Sequence, residues 1–161
     1  MRNKEEVFFK INDIYISRFP VTLQEWAEFL ESEDYFDQGL WDADYSPREM
    51  GDEVLKRIGF EWSKAYRPVT SINWYEAKAF CRARGGRLPW YEEWNMISRM
   101  HEYCESNNFV EWCTNWYHHS VIRPVSPSPP LRMRLSGPEN CLVPHEYRDN
   151  IGFRVVYEHT N

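Results

Sequence analysis

The sequence predicts an α+β fold: short mixed and antiparallel strands, few helices and much irregular loop. Three observations predict it. Apolar residues recur at i, i+3, i+4 and i+7 in residues 23–30, the face of an amphipathic helix. Segments rich in β-branched and aromatic residues stand at 7–18, 109–117 and 151–157, where strands are expected. Helical patterns come early and strand patterns gather late, so the chain does not alternate as βαβ units would.

The elements follow in order. Residues 7–18, VFFKINDIYISR, read as two strands around the turn residues Asn12 and Asp13. Thr22 and Glu25 then have capping-box spacing, with Leu23, Trp26, Ala27 and Leu30 as the apolar face behind them. Residues 34–68 are aromatic, acidic and rich in turn formers, with a helix expected from Pro47 to Ile58 and stopped by Gly59. A third helix starts at Asn73, partly boxed by Glu76. It turns Ala77, Phe80 and Cys81 inward and ends at Gly85-Gly86. A fourth covers 91–102. FVEWCTNWY (109–117), LRMRL (131–135) and IGFRVVY (151–157) are the late strands, and PVSPSPP (124–130) is expected as loop or polyproline-type backbone.

A chain of 161 residues fits one domain, 1–161, and can bury roughly two thirds of its unfolded surface. Aromatics are 17% of residues and include eight Trp, which favours a packed core over disorder. The formal net charge of -6 argues against nucleic acid and against anionic membranes as partners. No apolar run reaches the ~18 residues of a membrane span. MRNKEEVFFKIND has no secretory pattern, so the expected location is cytoplasmic. Four cysteines, at 81, 104, 113 and 141, are then expected as free thiols. None lies in a C-x-x-C pair.

One stretch is highly specific. PVTSINWYEAKAFCRARGGRLPWYEEW (68–94) resembles the formylglycine-generating-enzyme, or sulfatase-modifying factor, family. That family has a P-V-x-x-V-x-W corner, an A-x-A-x-C helix and R-L-P-T-E-A-E-W. The matching positions are Pro68, Val69, Ile72, Trp74, Ala77, Ala79, Cys81, Arg87, Leu88, Pro89, Glu93 and Trp94. PVTLQEWAEFL (20–30), NFVEWCTNWY (108–117) and NIGFRVV (150–156) are similar to further family blocks and stand in the family's order. The resemblance implies a C-type-lectin-like fold with neighbouring first and last strands. Trp26, Trp74, Trp94 and Trp112 read as buried anchors. Arg87, Glu93, Glu111 and Arg154 are charges in apolar contexts that need partners, some of them one another.

The departures bear on function. The family's catalytic site is a thiolate pair that holds copper(I), set late in the chain in R-G-G-S-W-x-C-x-x-x-x-C. Soft thiolates are what select copper(I). The corresponding RMRLSGPENCLVPHEYRDN (132–150) has Cys141 alone and no R-G-G-S-W, and Cys113 replaces the Thr of the E-W-T strand. Only 95–108 fill the place of the family's long insertion, which carries one of its calcium sites. Glu111 matches a ligand of the other, so calcium is the one cofactor the resemblance leaves open.

His118-His119 with His145 suggests a metal site, but adjacent strand residues face opposite ways. The family's iron-dependent branch takes its histidines from a helical domain absent here. No nucleophile elbow or phosphate loop occurs. Arg82, Arg84 and Arg87 read as a solvated helix end.

The reading that follows is a non-catalytic module for a protein or small-molecule ligand, similar to the compact variable proteins of diversity-generating retroelements. Its ligand face is expected on 113–149, at Trp116, His118, His119, Arg134, Asn140 and His145. A divergent metal-dependent oxidase or hydroxylase of the family is one alternative. A passive structural or regulatory scaffold is the other.

Overall fold

Asn12 sits at φ 52, the left-handed conformation that Asn tolerates best after Gly, and reverses the chain between β1 (Phe8–Ile11) and β2 (Ile14–Ser17). The computed structural model describes residues 8–43, 45, 47, 51–100, 109–114, 116–118, 124–127 and 145–158, with the backbone alone at 95, 98–100, 116–118 and 124–127. The hairpin register runs from Phe8 opposite Ser17 to Ile11 opposite Ile14. The free edge of β2 pairs antiparallel with the closing strand β7 (Val156–Glu158), Ile16 opposite Val156. The first and last described strands therefore share one sheet, ordered β1-β2-β7.

Helix α1 (Leu23–Glu31) starts at the expected box. The Thr22 hydroxyl accepts the Glu25 amide at 3.2 Å, and the Glu25 carboxylate accepts the Thr22 amide at 2.8 Å. Its buried side is Leu23, Trp26, Phe29 and Leu30, while Ala27 is only half-buried. The aromatic segment that follows makes short 3-10 turns at Glu33–Phe36, Gln38–Leu40 and Trp62–Lys64 around α2 (Gly51–Arg57). Gly59 ends α2's turn with φ 65.

Helix α3 (Trp74–Ala83) is capped by Asn73 and stopped by Gly85 at φ 73. Gly86 has a different reason to be glycine. A Cβ there would stand 2.6 Å from Val155 Cγ1 and 2.6 Å from the Val156 carbonyl oxygen. Its backbone lies directly on the closing segment, and Arg87 and Val156 exchange both backbone hydrogen bonds. Helix α4 (Tyr91–Met100) follows, with the Glu93 carboxylate accepting the Trp90 amide at 2.8 Å.

The late strands are shorter than expected. Strand β3 (Val110–Glu111) pairs parallel with β6 (Ile151–Gly152). The expected strand 109–117 divides into β3 and β4 (Trp116–His118), because the two halves join different sheets, β3 with β6 and β4 with β5 (Pro124–Pro127). The expected strand 151–157 divides into β6 and β7 for the same reason. Between them Phe153, Arg154 and Val155 are all buried, and the chain passes from one sheet to the other. The expectation of loop or polyproline backbone at 124–130 is corrected over its first part. Pro124–Pro127 forms β5, antiparallel to β4 with a register shift at Tyr117/His118. Its extended backbone suits a two-stranded ribbon, where Pro can face the unpaired edge.

The core is aromatic. Trp26 stacks on Phe80 at 5.6 Å and meets Phe29 and Phe153 edge-on. Trp26, Trp74, Trp94 and Trp112 are 0%, 4%, 3% and 0% exposed, as the sequence predicts. No helix among the described residues is long and apolar enough to cross a membrane.

Candidate functional site

Three loops converge on the N-terminal end of α3. The cap residue Asn73 is their meeting point. Its Oδ1 accepts the Glu76 amide at 2.9 Å, so one end of the carboxamide caps the helix. Its Nδ2 donates to the hydroxyl of Tyr45 at 2.8 Å and of Tyr147 at 3.1 Å. One comes from the irregular segment before α2 and the other from the segment before β6.

Glu76 completes the box by accepting the Asn73 amide at 3.0 Å, and its other oxygen accepts Arg57 Nη2 at 2.6 Å. Arg57 also donates to the Ser71 carbonyl and lays its guanidinium 4.1 Å above the Tyr147 ring. Ser71 holds φ 58, an uncommon conformation for a residue with a side chain, and its amide donates to the Arg148 carbonyl at 2.9 Å.

Around this hub the rings form a continuous surface. Tyr45 is stacked between Trp41 at 5.7 Å and Tyr75 at 4.5 Å. His145 leans on Tyr75 at 5.0 Å and on Tyr45 at 5.8 Å. His145 is exposed and Tyr147 is 41% exposed, so the outer rim is open to solvent. Burial pushes the Tyr45 phenol above its usual range, with the Asn73 hydrogen bond opposing and the Glu76 charge adding to the rise. Beside it, Asp42 takes Lys78 at 2.9 Å and Arg82 at 2.8 Å, and the Lys78 ammonium lies 4.0 Å above the Trp74 ring. Burial raises the Asp42 carboxyl, but the hydrogen bonds from Lys78 and Arg82, and then their charges, outweigh it and hold the group below its usual value.

The rim rests on a rigid base. Trp74 Nε1 donates to the Cys113 carbonyl at 2.9 Å and Trp112 Nε1 to the Ile72 carbonyl at 2.8 Å. Beneath them, Arg154 meets Glu111 through two hydrogen bonds, Nε to Oε1 at 2.8 Å and Nη2 to Oε2 at 2.9 Å. Its Nη1 donates to the carbonyls of Ser17 and Arg18. Trp94 Nε1 donates to the same carboxylate. Arg87 and Glu93 form a second pair at 2.8 Å, and Arg87 also holds Glu158 at 2.7 Å. The four charges that sequence flagged as needing partners thus meet two by two. A cation at Glu111 would have to displace the Arg154 guanidinium.

Of the expected ligand-face residues, His145 belongs to the ring cluster. Trp116 and His118 lie on β4, placed by backbone alone. His119, Arg134 and Asn140 lie outside the described residues. Sequence reasoning did not single out Tyr45, Tyr75, Tyr147 or Arg57 as part of this cluster. From sequence, Asn73 reads only as a cap. Its choice over Ser or Thr was the available signal, since a carboxamide keeps two donors after its oxygen has capped the helix.

The class is defined by this frame: short sheets joined by irregular, aromatic-rich segments, with first and last strands paired and loops gathered at one end. It is a C-type-lectin-like fold. The sequence pattern described as Sulfatase-modifying factor enzyme 1-like domain matches residues 3–120, and the chain belongs to that family. The match ends before β5, β6 and β7. A comparison with curated proteins gives no significant match.

Proposed function

We propose that this chain is a non-catalytic binding module that uses the family frame to present a ligand face, in the manner of the compact variable proteins of diversity-generating retroelements. The observation that carries this reading is a ring cluster tied to one buried cap residue: Asn73 holds Tyr45 and Tyr147, and Tyr75 and His145 pack on Tyr45. Rings supply contact area with little side-chain entropy to lose, and adjacent polar groups supply direction. The same reading assigns Trp116, His118, His119, Arg134 and Asn140, within 113–149, to the ligand face, which takes a protein or small-molecule ligand.

The thiols support the same reading. Copper(I) oxidase chemistry in the family needs two cysteines set close together late in the chain, and 132–150 supplies Cys141 alone. Cys113 is fully buried, and burial, followed by the Glu111 charge, pushes its thiol well above the usual range.

Two measurements test the proposal. The purified chain should neither take up stoichiometric copper(I) on two sulfurs nor oxidise a cysteine-containing sulfatase peptide; either result would overturn the non-catalytic reading. Trp116→Ala and Arg134→Ala should leave Tm nearly unchanged and remove partners that the parent chain retains reproducibly. If both variants unfold, these residues belong to the frame.

A further inference from the structure

Asn73 does two jobs with one carboxamide, and only one of them is needed for a helix. Ser, Thr or Asp would cap α3 as well. None is a neutral side chain offering an acceptor together with two donors. The spare donors go to Tyr45 and Tyr147, which come from opposite sides of α3 in sequence. The segment carrying Tyr147 has one further backbone tie to this end of α3, the Ser71 amide on the Arg148 carbonyl.

We infer that Asn73 is a positioning residue for the ligand face: it locks residues 145–149 and the loop at Tyr45 into a single surface. This rests on the binding reading for its meaning, but its test does not require a ligand. The cap and the lock report on different amides. The Glu76 amide donates to Asn73 Oδ1 and reads the cap. The Ser71 amide donates to Arg148 and reads the lock.

The experiment is site-resolved hydrogen exchange on the full chain. In Asn73→Ser, the hydroxyl keeps the cap and is too short to reach either phenol. The Glu76 amide should exchange at the parent rate. The Ser71 amide should exchange about tenfold faster, the scale of one or two neutral hydrogen bonds lost to local opening. Tyr45→Phe with Tyr147→Phe should reproduce the tenfold change, and adding Asn73→Ser to that pair should change nothing further. An unchanged Ser71 amide in Asn73→Ser overturns the inference, as does equal acceleration of both amides. If Asn73→Ser does not fold, Tyr147→Phe alone decides, since it leaves the cap intact and must still accelerate Ser71. Failure here leaves the binding module standing with a differently held face; copper uptake or peptide oxidation removes the module without touching this result.

Discussion

Arg154 and Glu111 lie against each other side-on, at 2.8 and 2.9 Å, with their side chains 4% and 1% exposed. The guanidinium also satisfies two carbonyls at the end of β2, so one side chain joins the first sheet to β3. Breaking a buried pair leaves an uncompensated charge, which costs about 3–5 kcal/mol. Glu111→Gln should therefore lower stability by that amount in urea unfolding. Adding Arg154→Met should cost less than the sum of the two single changes, because the second change removes the stranded charge. Additive losses would show that the pair is not coupled.

Trp26 and Trp112 fill the centre and are both 0% exposed. Truncating either to Ala should cost about 3–5 kcal/mol. Trp62, which is 77% exposed, serves as the control. Its alanine variant should melt within a degree or two of the parent, because surface changes stay within about 0.5 kcal/mol. Equal melting temperatures for all three variants would contradict the packing described.

The Asp42 carboxyl titrates below its usual value in the folded chain, held there by Lys78 and Arg82 against the effect of burial. A group with a depressed folded pKa stabilises the fold fully above its unfolded value, near ~3.9, and loses that contribution as pH falls through the folded value. Asp42→Asn should therefore lower Tm at neutral pH and converge with the parent in strong acid. Parallel Tm curves down to the lowest pH would contradict this.

Cys81 and Cys113 are fully buried, and burial raises both thiols, with Arg82 partly opposing at Cys81. Alkylation proceeds through the thiolate. Peptide mapping after brief iodoacetamide treatment at pH 7 should find both unmodified in the native chain and modified in denaturant. Rapid native labelling at Cys113 would place it at the surface.

Most of the frame was legible in sequence because local physics fixes it. Thr22–Glu25 and Asn73–Glu76 have a spacing that works only at a helix start, and both boxes form. Gly59 and Gly85 stop helices through left-handed backbone. The strands 109–117 and 151–157 were legible only in part. Their lengths are set by which sheet each residue joins, and a run of buried residues carries no period. The strand at Pro124–Pro127 is not legible from composition, because proline content speaks to missing donors whereas the ribbon depends on its partner β4. The ring cluster was least legible. Tyr45, Asn73 and Tyr147 meet through distances that no local pattern encodes; the spacing of Asn73 to Glu76 signals only the cap.

Ile16 opposite Val156 joins β2 to a strand far downstream, so the first sheet closes only when that distant segment is present. Until 156–158 emerge from a ribosome, β2 has an unsatisfied edge able to template the wrong strand. The Gly86 backbone likewise waits for Val155 and Val156 to cover it. Such long-range pairing slows folding, because the loop must close before the contact repays it. Refolding from denaturant should therefore be slower than for a helical domain of the same size, with the β2–β7 pairing among the late contacts.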